Sequence, residues 1–203
     1  AHFAAITERD TKEPERAIAG HRRVVALSPT ADSLRALARL NLERSHPTQA
    51  VPWLESLLGT VPAAERMAVV SQLARAHLSA QHPERAIAAI EGNLNDKEPA
   101  IDLRVMLAEL YRTSEQWEPL ARHLTRSLSL LRDDKLAREF AREAAAIYLR
   151  LGAPAKAIPA LETALGLDPT DRELRAQLAI GQRVAGKLPE ARTALSELIA
   201  DFG

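Results

Sequence analysis

The side chains in this chain that could do chemistry are six histidines, an even supply of arginines and carboxylates, and a few rings; their spacing decides which chemistry. A zinc site on a helix needs two histidines four residues apart, and no pair has that spacing. There is no cysteine to complete a thiolate site or form a disulfide. His46 and His82 lie in the matching segments SHPTQA and QHPERA, so they read as one turn position used twice, and His77 reads as a packing residue. Asp133 and Asp134 adjoin in a predicted linker and read as solvated charge. No glycine-rich phosphate loop, nucleophile elbow or recurring carboxylate pair is present, so the expectation is a protein without catalysis, cofactor or metal.

Arginine offers a different chemistry. Arg35 and Arg39 are four apart, which places both on one helical face, and Arg75 falls at a matching place further on. Guanidinium groups donate in a planar fork to carboxylates, so three together favour an acidic segment or a chain terminus. The competing expectation is that they pair with Asp32, Glu43 or neighbouring carboxylates on a solvated face. Which holds depends on the elements that carry them.

Those elements are clearest in AREAAAIYLRLGAPAKAIPALETALGLDP, residues 141–169. Two amphipathic patterns meet at one tight turn. Ala144 and Ala145 precede Tyr148, Gly152 marks the turn, and Ala157, Leu161 and Ala164 follow before Pro169. Small residues let two antiparallel helices approach closely while one ring fills the space beside the contact. The small residue of the second helix recurs as Ala17, Ala50, Ala86, Leu120, Ala157 and Ala191, at steps of 33, 36, 34, 37 and 34 residues. In this pattern and period the chain resembles the tetratricopeptide repeat family over essentially its whole length.

The resemblance implies an all-α, right-handed superhelical solenoid of about six helix-turn-helix repeats in a single array, at residues 1–29, 31–62, 63–99, 100–132, 136–169 and 171–203. Composition agrees: 46% hydrophobic but only 3% aromatic, rich in Ala, Leu and Arg. Prolines fit the frame as well. Pro14, Pro47, Pro83, Pro119, Pro154 and Pro189 fall where second helices should begin, where a missing N–H costs nothing. Pro29, Pro62 and Pro169 fall between repeats, and Gly92 with Asn93 should stop a helix. Pro52 and Pro159 lie deeper and predict a kink or a shifted start. Asn41 and His77 stand where Tyr111 and Tyr148 place rings; Trp53 and Trp117 read as core packing. Glu115 replaces the turn glycine and predicts a less tightly constrained turn, and residues 132–135 read as the longest insertion. The first repeat begins partway through HFAAITERD, and Leu195, Leu198 and Ile199 follow with no later hairpin to cover them, so the chain reads as a fragment of a longer array.

The formal net charge is zero, from 27 basic and 27 acidic residues, so no global field draws the chain to nucleic acid or membrane. No basic-then-apolar leader opens it, and no apolar run approaches the ~18 residues of a spanning helix, so it reads as soluble, cytoplasmic or periplasmic. The resemblance implies a non-catalytic protein–protein interaction scaffold whose first helices line a concave groove holding a partner peptide or helix. Helical spacing then offers Arg35, Arg39, Gln72, Arg75, Met106, Glu109, Arg112, Arg142 and Arg183 as contacts. Further inner-face positions are Asp32, Ala36, Ser71, Asp102, Val105, Glu139, Glu143, Ala146, Glu173, Ala176, Gln177 and Ile180. The family's Lys and Asn clamp for chaperone tails is not reproduced, because His2, Ile6, Arg35 and Arg39 stand in its places. Bacterial envelope, secretion or export assemblies are contexts the resemblance suggests. The alternative is a structural spacer or oligomerisation module that self-associates through its terminal repeats.

Overall fold

The computed structural model describes residues 14–95, 97 and 99–200, which fall into two compact units divided after Asn95. The expected opening segment HFAAITERD lies outside the described residues. Unit 1 holds α1 (Pro14–Leu27), α2 (Ala31–Glu43), α3 (Pro47–Leu58), α4 (Ala63–Ser79) and α5 (Pro83–Glu91). Unit 2 holds α6 (Ile101–Thr113), α7 (Trp117–Ser127), a 3₁₀ turn (Leu128–Leu130), α8 (Asp134–Arg150), α9 (Pro154–Leu167), α10 (Arg172–Val184) and α11 (Leu188–Ala200). Among the described residues there is no strand. Within each unit every helix packs chiefly on its neighbours in the chain, the pairing expected of stacked hairpins.

The inferred frame sits in the core. Ala17, Ala50, Ala86, Leu120, Ala157 and Ala191 are all buried, Ala50, Ala86, Leu120 and Ala157 completely. Around Ala157 the contact is built from Ala141, Ala144, Ala145, Ala160 and Ala164, each fully enclosed, so backbone meets backbone with little bulk between. In unit 1, Leu34, Leu54, Leu57, Val69 and Leu73 form one cluster and Ala17, Ile18, Leu37 and Leu40 another, with Trp53 packed against both. Tyr111 and Tyr148 are buried, but Trp53 and Trp117 are only partly so. Trp117 carries the Arg150 guanidinium over its ring at 5.2 Å, a cation–π contact at the surface rather than core packing.

The turns inside the hairpins share one geometry. Four residues after Asn41, His77, Tyr111, Tyr148 and Gln182 the backbone turns left-handed, at Ser45 (φ 57), Gln81 (φ 62), Glu115 (φ 54), Gly152 (φ 66) and Gly186 (φ 81). In each, the next N–H returns to the carbonyl at the ring position: His46 to Asn41 at 2.9 Å, His82 to His77 at 2.9 Å, Gln116 to Tyr111 at 2.8 Å, Ala153 to Tyr148 at 2.9 Å and Lys187 to Gln182 at 2.8 Å. This is the Schellman closure of a helix. The looser turn expected at Glu115 is therefore not found, because a residue with a Cβ adopts the same conformation at a cost in strain. The prolines expected at second-helix starts occupy the first residue of α1, α3, α5 and α9, the second of α11 and the third of α7. Pro52 and Pro159 shift no start: α3 and α9 run through them, with both residues on the exposed side. The longest connection lies between Glu91 and Ile101 rather than at residues 132–135. Asp133 is not merely solvated charge, since it caps α8 by accepting the Leu136 N–H at 3.0 Å, and Asp134 is already helical.

Buried polarity is concentrated where the ring pattern lapses. Asn41 donates to the Leu37 carbonyl at 2.7 Å, but its Oδ1, the His77 Nδ1 and the Gln182 Oε1 have no hydrogen-bond partner. Burial lowers the His77 pKa below its usual value. Unit 2 also encloses Arg104, which donates to the Pro99 carbonyl at 2.8 Å and to Ser127 Oγ at 3.3 Å. Ser127 donates to the His123 carbonyl at 2.8 Å, and the His123 ring lies 2.9 Å from the Arg104 carbonyl. His123 thus joins α6 to α7 as a structural residue.

Candidate functional site

The first helices of the hairpins carry the expected contacts, and register explains why they share a face. Relative to Asn41, His77, Tyr111, Tyr148 and Gln182 they stand six, five or two residues before or one after, steps of three and four that return to one helical side, away from the buried ring position. Arg35, Arg39, Gln72, Arg75, Glu109, Arg142 and Arg183 are exposed there, whereas Met106 and Arg112 are half-buried.

In unit 1 the expected basic cluster is largely compensated. Arg35 donates to Glu65 at 2.6 Å, from α2 to α4, and reaches Asp32 at 3.4 Å. Arg39 pairs with Glu43 at 2.8 Å, one turn along the same helix. Arg75 makes no ion pair among the described residues, and Gln72 stands one turn before it.

Unit 2 repeats the arrangement more tightly. Arg112 forks onto Glu143 through Nε and Nη2 at 2.9 and 2.8 Å, and also bonds Glu109. The Glu143 bonds hold the Arg112 pKa above its usual value. Arg142, at the same register as Arg35, donates to Asp171 at 2.8 Å, while Asp171 accepts the Leu174 N–H at 3.1 Å as the α10 cap. Arg35–Glu65, Arg112–Glu143 and Arg142–Asp171 each tie one first helix to the next. Helical spacing groups these arginines on the first helices but does not reveal that they bridge hairpins. The usable signal was a carboxylate 29–31 residues downstream, close to one repeat.

Between α8 and α10 the face opens into a cleft of about 440 Å³ lined by Glu139, Arg142, Glu143, Ala146, Glu173, Leu174 and Gln177. Of these, only Arg142 is among the primary expected contacts. Arg183 stands beyond the cleft, and Ile180 remains 49% exposed on the same helix. Among the described residues no group of three metal-capable side chains occurs, and no helix is long and apolar enough to cross a membrane.

Residues 148–203 match the family model described as tetratricopeptide repeat. No curated protein matches the chain. Solved structures similar to it include MamA residues 41 to the end from Desulfovibrio magneticus RS-1, at 15% identity over 84% of this chain and 93% of that one, TM-score 0.44. A putative kinesin light chain with tetratricopeptide-like repeats from Podosopora anserina is 19% identical over 94% and 96%, TM-score 0.43. The carboxy-terminal part of a tetratricopeptide repeat-containing protein from Cytophaga hutchinsonii is 14% identical over 98% and 78%, TM-score 0.45. The hairpin turns and the buried alanine frame make the described residues an array of helical hairpins, of which residues 148–203 match the tetratricopeptide repeat family.

Proposed function

We propose that the array is a non-catalytic interaction scaffold that holds a segment of a partner protein along its first-helix face. The observation that carries this reading is the cleft between α8 and α10, open to solvent and lined by both charged and apolar side chains. Such a surface orients a ligand without positioning a nucleophile beside a base. On unit 1, Arg75 supplies a cation uncommitted to any ion pair among the described residues and favours a carboxylate there. Bacterial envelope, secretion or export assemblies remain the contexts suggested by family resemblance. A photocrosslinker at Ala146, on the first-helix face, should trap partner protein from host extract, while one at Glu162 on α9 should not. Adducts at Glu162 alone would overturn the assignment of the face.

A second reading, self-association, is favoured by exposed apolar residues on the last hairpin. Val184, Leu188 and Ile199 are 62%, 62% and 72% exposed. Light scattering across a concentration series checks it: growth in mass supports self-association, and a monomer at the highest concentration removes it.

A further inference from the structure

The charges of unit 2 point away from an acidic ligand. In the cleft, Arg142 is engaged by Asp171 at 2.8 Å and Glu143 by Arg112 at 2.8 and 2.9 Å. Two carboxylates remain. Glu139 on α8 has no ion pair among the described residues, and Glu173 on α10 receives only the Gln177 amide at 3.2 Å. Glu139 from α8 and Glu173 from α10 both line the same cleft, together with Ala146 and Leu174. An anionic ligand would add like charge beside both carboxylates, whereas an ammonium or guanidinium would meet an acceptor in each. Apolar surface continues along the face in Ile180 on α10, 49% exposed, and Val105 on α6, 42% exposed.

We infer that the first-helix face of unit 2 selects a partner segment bearing a Lys or Arg flanked by apolar side chains, with the basic group seated between Glu139 and Glu173. This rests on the scaffold reading and assigns its ligand chemistry. Charge complementarity supplies the discrimination: the cleft rejects an acidic segment by leaving two carboxylates facing it.

The test pans the whole chain against a displayed random peptide library, then titrates a fluorescein-labelled synthetic copy of the selected peptide. The titration compares the wild type, Glu139→Gln/Glu173→Gln and a control of equal charge change on exposed second-helix positions, Glu162→Gln/Glu190→Gln. The selected peptides should carry Lys or Arg, and affinity should fall about ten-fold in the cleft variant but less than about two-fold in the control. Glu139→Lys alone, checked for an unchanged melt, should weaken binding further. Selected peptides without basic residues, or equal losses in both double variants, would overturn the basic-segment inference while leaving the scaffold standing. Failure to select any peptide would overturn both.

Discussion

Replacing Glu115 by glycine should stabilise the protein, and replacing Gly152 by alanine should destabilise it by a similar amount. Both residues sit at the left-handed position of the same turn, at φ 54 and φ 66, and both turns close on the tyrosine carbonyl at 2.8 and 2.9 Å. A residue with a Cβ costs about 1–2 kcal/mol in that conformation. Glycine gives back roughly 0.4–1 kcal/mol through the entropy of the unfolded chain. The difference leaves a net effect of about 0.5–1 kcal/mol in each direction. At Gly152 a Cβ would meet nothing within 4 Å, so the loss there is conformational and not steric. For a chain of this size the change corresponds to a shift of about 1–4 °C in Tm. Urea titration should move the midpoint without changing the slope, as expected when stability changes but the exposed surface does not. A Glu115→Gly variant no more stable than wild type, or a Gly152→Ala variant that melts unchanged, would refute the claim that the turns share one left-handed geometry in which a Cβ is strained.

Three other outcomes follow from the packing and the charges. Ala157→Leu or Ala191→Leu should cost about 1–3 kcal/mol by overfilling an enclosed helix contact, measured by thermal melts. Glu143→Gln should cost about 1 kcal/mol and lose that effect in an Arg112→Ala background, because a double-mutant cycle isolates the forked bridge between α6 and α8. For His77, burial favours the neutral ring in the folded state, so the unfolded chain takes up the proton first. Its contribution is complete above pH 6.5, the usual histidine value, and declines below it until the lowered folded pKa is passed. Unit 1 should lose less Tm between pH 7 and pH 5 in His77→Tyr than in wild type, and parallel losses would contradict this.

The fold was legible because close helix packing leaves a mark on sequence. Ala50, Ala86, Ala157 and Ala191 must be small for the same reason, and that requirement repeats with the hairpin. The turn at Glu115 was harder to read, since the left-handed conformation favours glycine without requiring it, and the hydrogen bonds that enforce it come from the backbone. Helical register puts the candidate residues on one side of the first helices, but it does not give their electrostatics. Arg35 and Arg142 reach carboxylates on the next hairpin, a tertiary choice that local spacing cannot specify. Glu139 and Glu173 became prominent only once Arg142 proved to be engaged by Asp171 and Glu143 by Arg112.

The most direct test of the scaffold assignment maps a display-selected peptide onto the chain by amide chemical-shift perturbation. The account predicts changes on the first helices of unit 2, at Met106, Glu109, Glu139, Ala146 and Glu173, with α7, α9 and α11 little affected. Perturbations concentrated on those second helices, with the first-helix residues silent, would contradict it.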